Sequence, residues 1–74
     1  MTFNYSKLLG KIKEQKKTQR EVADYIGRKP NTFNLKVNGK AFFTTQEIES
    51  ICELLNIEKH EIGDYFFATE VQEN

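Results

Sequence analysis

The chain has 74 residues, 38% hydrophobic and 30% charged, with one cysteine, one histidine and a formal net charge of zero. That length suits one domain, 1–74, with a small core, and the composition is that of a globular chain rather than a disordered one. Cys52 alone allows no internal disulfide, and His60 alone leaves neither a Cys/His metal site nor a Ser-His-Asp triad; with no glycine-rich phosphate loop, the expectation is a non-enzyme without metal, cofactor or small-molecule substrate.

No run of alternating residues is long enough for a sheet, so the expected fold is all-α, built from five short helices. The first is predicted over Tyr5 to Lys16, with Asn4 as its cap and Tyr5, Leu8, Leu9 and Ile12 as its apolar stripe. The second runs from Gln19 to Ile26. Thr18 and Glu21 form a Thr-x-x-Glu capping box, Val22, Ala23 and Ile26 face inward, and Gly27 stops the helix. The third covers Pro30 to Asn38, with proline in the first turn, Phe33 and Val37 inward, and Asn38-Gly39 at its end. The fourth covers Thr45 to Leu55 behind a second box, Thr44-x-x-Glu47, and buries Ile48, Ile51, Cys52 and Leu55. The fifth covers Lys59 to Phe66, with Ile57, Ile62, Tyr65 and Phe66 on the apolar side, and residues 69–74 read as a frayed tail. No apolar run approaches a membrane span, and the opening Met-Thr-Phe-Asn-Tyr-Ser lacks the pattern of a signal peptide. The expected location is therefore the cytoplasm, with no membrane partner.

The zero net charge hides an asymmetry. Residues 1–40 carry ten Lys or Arg against three Asp or Glu, a net +7; residues 41–74 carry one Lys against eight acids, a net −7. Such a split suggests a polyanion as the partner of the first half, with a merely solvated basic face as the plain alternative.

Two runs are more specific than composition. Thr18-Gln-Arg-Glu-Val-Ala-Asp-Tyr-Ile-Gly27 is followed by Asn31-Thr-Phe-Asn-Leu-Lys-Val-Asn-Gly-Lys40. Together they resemble the helix-turn-helix family of phage Cro and repressor proteins. The run Ile48 to Ile57 and the tail Glu61-Ile-Gly-Asp-Tyr-Phe-Phe67 are similar to those of Cro-like proteins from phages and prophages of Gram-positive bacteria. The resemblance covers roughly residues 5–67 and implies a lambda-repressor-like domain that binds double-stranded operator DNA, commonly as a homodimer on a palindromic site.

It also implies residue roles. Lys29, Asn31, Asn34 and Leu35 would contact bases. The two amides have the donor and acceptor that an adenine edge requires, and Leu35 suits a thymine methyl. Asn31 has a helix cap as its alternative role, and Leu35 has packing within its own domain. Gln19, Arg28, Thr32, Lys36, Asn38, Gly39 and Lys40 would meet the DNA backbone. Arg28, Lys36 and Lys40 would neutralise phosphates, and Asn38 and Gly39 would offer backbone N–H groups. The lysines of the first helix read as solvated. The sequence departs from the family pattern at Lys17, where leucine is common, at Arg28 in the turn, and at Lys29-Pro30 in place of a Ser-Arg pair; Lys29 has no acceptor with which to cap the third helix.

Cys52 reads as a buried thiol, His60 as exposed, and Phe42, Phe43, Tyr65, Phe66 and Phe67 as mostly core, with some of these aromatics available for a dimer contact. The expected function is sequence-specific repression of transcription. Two alternatives remain open: the antitoxin of a toxin–antitoxin pair, and a protein-interaction module on the same fold.

Overall fold

The computed structural model describes residues 3–69. Five α-helices follow one another: α1 (Ser6–Glu14), α2 (Gln19–Tyr25), α3 (Pro30–Val37), α4 (Thr45–Leu55) and α5 (Ile62–Phe66), the last preceded by a 3₁₀ turn, Lys59–Glu61. The fold is all-α, as expected, and among the described residues there is no strand. A single antiparallel bridge pairs Phe3 with Thr69 and brings the two ends of the domain together. Of the tail expected at 69–74, only Thr69 is described, in that bridge; residues 70–74 lie outside the described residues. No helix among the described residues is long and apolar enough to cross a membrane.

The core is the sum of the helical stripes. Leu8 and Ile12 from α1, Val22 and Ala23 from α2, Phe33 from α3, Ile51 and Leu55 from α4, and Phe66 from α5 are all buried. α2 packs against both α3 and α4, and its small Ala23 is fully buried. Phe43, between α3 and α4, meets Tyr5, Phe33 and Phe66 edge-on at ring-centroid distances of 5.3, 5.8 and 5.6 Å. These T-shaped contacts add specific geometry to apolar burial.

Its neighbour Phe42 is 74% exposed and Phe67 is 51% exposed, which corrects their assignment to the core. The chain at Phe42-Phe43 is not helical, so the two rings diverge; Phe67 stands just beyond the end of α5. Both rings lie edge-on to Phe3, at 6.0 and 5.6 Å. Cys52 is buried, and burial pushes its thiol pKa up; His60 is exposed.

Helix ends explain the boundaries. α1 stops two residues earlier than predicted, because Lys16 turns left-handed at φ 59°. The Lys17 N–H then reaches back to the Ile12 carbonyl at 3.0 Å and the Lys16 N–H to that of Lys13 at 2.9 Å, the paired bonds that close a helix. At the N-terminal end Tyr5 holds the cap position, and Asn4 Oδ1 accepts from the Ser6 N–H at 2.8 Å from one residue further back. Gly27 closes α2 in the same left-handed way at φ 74°, with the Arg28 N–H donating to the Ala23 carbonyl at 2.9 Å. The last predicted helix is divided: its first three residues form the 3₁₀ turn.

Candidate functional site

The candidate surface is built on α3. Phe33, Lys36 and Val37 occupy its buried side, so Pro30, Asn31, Asn34, Leu35 and Asn38 share the opposite, exposed side. That exposed arc carries three amides and no charged side chain. Lys29 stands at its start as the α3 N-cap position and makes no side-chain cap bond; Lys40 stands just beyond its end. Both lysines are exposed, as is Gln19 at the start of α2. Of the four residues expected to contact bases, the fold therefore brings Lys29, Asn31, Asn34 and Leu35 to one face. Leu35 is 48% exposed, so it does not pack away inside its own domain. Asn31 sits in the first turn of α3, after the cap position.

Asn34 and Asn38 are coupled. The Asn38 Nδ2 donates to Asn34 Oδ1 at 3.1 Å and to the Asn34 carbonyl at 2.8 Å. The bond to Oδ1 restricts the orientation of the exposed Asn34 amide. An amide held in place loses less freedom when it binds.

Three expected backbone contacts need correction. Lys36 is turned inward: its side chain is 10% exposed, and its Nζ donates to Glu47 Oε1 at 2.5 Å while lying 5.8 Å from the Phe43 ring centroid. The reason is helical register, since Lys36 is three residues after Phe33 and adjacent to Val37 on the buried side. The N–H groups of Asn38 and Gly39 are not directed at a ligand either. They bond to the Asn34 and Lys36 carbonyls, both at 3.1 Å, and the Lys40 N–H closes the turn on Leu35 at 2.9 Å around Gly39 at φ 78°. Thr32 is half-buried beside them.

Arg28 and Lys36 meet at a residue that the sequence showed only as a helix cap. Glu47 is 3% exposed and collects three donors: Lys36 and the Thr44 N–H, the latter at 2.8 Å, on Oε1, and the Arg28 Nε on Oε2. Burial would raise its pKa, but hydrogen bonds from Lys36, Thr44 and Arg28, with the Lys36 charge, hold it down at about 2. One carboxylate so joins the α2–α3 turn, the inner side of α3 and the first turn of α4. Its sequence signal is indirect: a lysine at a buried register position demands an acid partner.

Along residues 1–69 the chain matches the family described as a protein of unknown function, DUF739. The chain belongs to this family. It is also similar to the solution structure of the modulator of repression of the temperate bacteriophage TP901-1 from Lactococcus lactis. The two share 36% sequence identity over 97% of each chain, with a TM-score of 0.75. No curated protein matches it. Membership of DUF739 and likeness to the phage modulator narrow the resemblance to phage Cro and repressor proteins to likeness with a phage regulatory protein.

Proposed function

We propose that this DUF739 protein is a non-catalytic phage-type regulator of transcription that presents the exposed face of α3 to duplex DNA, in the manner of the Cro and repressor helix-turn-helix proteins. The observation that carries this is the grouping of Asn31, Asn34 and Leu35 on one solvent-facing arc between Lys29 and Lys40. Amides match adenine edges, an aliphatic tip matches a thymine methyl, and flanking ammonium groups match phosphates. The net +7 of residues 1–40 is in keeping with a polyanionic partner. Gln19, exposed at the start of α2, supplies a further polar group.

Selection of bound duplexes from a random library at low salt tests the proposal. A recovered motif supports it, and two-fold symmetry in that motif would mark a homodimer. Asn31→Ala and Asn34→Ala should each weaken the selected site by about tenfold while leaving random duplex almost unaffected. Equal losses on both DNAs would remove base reading from the account.

A second possibility is that the same face grips a regulatory protein. The absence of charge on the arc and the half-exposed Leu35 favour it, as does likeness to a modulator of repression. In that case Leu35→Asp would abolish partner binding, whereas the selection would return no motif.

A further inference from the structure

With the α3 face taken as the working surface, we propose that Glu47 is a positioning residue that sets the selectivity of that face by withholding the cations of Arg28 and Lys36. The chain places four basic residues between the end of α2 and the end of the α3 turn: Arg28, Lys29, Lys36 and Lys40. Were all four free, a polyanion would be held by charge alone, whatever its sequence. The fold prevents this. Glu47 draws Lys36 into the interior and ties the Arg28 Nε from the side of α4. Lys29 and Lys40, which make no ion pair among the described residues, stand at opposite ends of an uncharged arc. What remains between them is a surface of amides, an aliphatic tip and proline, which discriminates by hydrogen-bond pattern and shape.

The carboxylate suits the role because its pKa of about 2 keeps it ionised at any ordinary pH, and because its capping bond to the Thr44 N–H fixes where it points. Glu47 itself touches no ligand. It acts through Arg28, whose side chain is 45% exposed and lies next to Lys29 in the chain. Neutralising Glu47 would let the whole guanidinium swing out to a phosphate, adding one contact and one released counterion.

Glu47→Gln separates this role from a merely structural one, since glutamine also completes a capping box but carries no charge. The readout is binding of random-sequence duplex by the full chain across a salt series. Glu47→Gln should bind random duplex about five- to tenfold more tightly at low salt, and the slope of log affinity against log salt should steepen by about 1. A motif-containing duplex should gain less, so the ratio between the two falls. Lys36→Met should leave the slope unchanged, because its ammonium never reaches the surface; a slope shallower by about 1 would place Lys36 on the DNA and overturn the proposal. A folded Glu47→Gln protein with wild-type slope and affinity would overturn it as well. If the single variant fails to fold, the double variant Lys36→Met, Glu47→Gln removes the unmatched buried charge and reads the same release of Arg28. Should the wild type bind no duplex, the function proposed above fails. A gain of binding by the variant would still support the role of Glu47, and no gain would sink both.

Discussion

Two segments of this chain carry the same four-residue signature with different consequences. Thr18-x-x-Glu21 opens α2 and Thr44-x-x-Glu47 opens α4. The local geometry is the same in both: the threonine Oγ1 accepts at 3.1 Å from the backbone N–H three residues on, and the threonine N–H donates at 2.8 Å to the glutamate Oε1. Glu21, however, is exposed and ends its work there. Glu47 is buried and also pairs with Arg28 and Lys36. A local motif thus fixes where a helix starts, and tertiary surroundings decide what else its side chain does.

The largest effect should come from removing the second box's acid. Glu47→Ala leaves the Lys36 ammonium almost buried without a partner and should lower unfolding stability by about 3 kcal/mol or more in denaturant titrations. Replacing Lys36 and Glu47 together by Met and Gln should recover much of that loss, because the uncompensated charge is gone. A loss in the double variant equal to the sum of the Lys36→Met and Glu47→Gln single losses would show that the ion pair carries no energetic coupling.

A smaller effect should appear with pH. The pKa of Glu47 is lower in the folded protein than the ordinary 4.5, so its contribution is fully present above about 4.5 and is lost as the pH falls towards about 2. Wild-type stability should therefore drop more steeply than that of Glu47→Gln between those values in pH-dependent melts. Parallel curves would contradict the pairing.

These two boxes also show how much the sequence could say. It marked α2 and α4 clearly, because a capping box and, for α2, the stop at Gly27 are local features that hold in any surroundings. It placed the end of α1 too late, because Lys16 adopts a left-handed conformation without the glycine that usually announces one. The exposed arc of α3 was legible through Phe33 and Val37, whose spacing sets the register. The inward turn of Lys36 was not, since a lysine normally points to water unless a distant acid meets it, and Glu47 is eleven residues away. The exposure of Phe42 escaped for the opposite reason: an irregular segment has no period to say which of two adjacent phenylalanines faces the core.

The local halves of the boxes should behave alike. Thr18→Ala and Thr44→Ala each remove one cap acceptor and should each cost about 1 kcal/mol in the same titrations. The smallest effect belongs to Glu21→Gln, which should change stability by less than about 0.5 kcal/mol because the side chain is exposed and glutamine keeps the cap. A cost matching that of Glu47→Gln would erase the distinction between the two sites.

The central claim is that α3 presents a sequence-reading face rather than a merely basic one. The most direct measurement is the affinity of the wild-type protein and of the Asn31→Ala, Asn34→Ala double variant for selected and random duplexes at two salt concentrations. The account predicts that the double variant loses about a hundredfold on the selected duplex and little on the random one, with an unchanged salt slope. Loss of affinity in equal measure on both duplexes, or no preference by the wild type at either salt concentration, would contradict it.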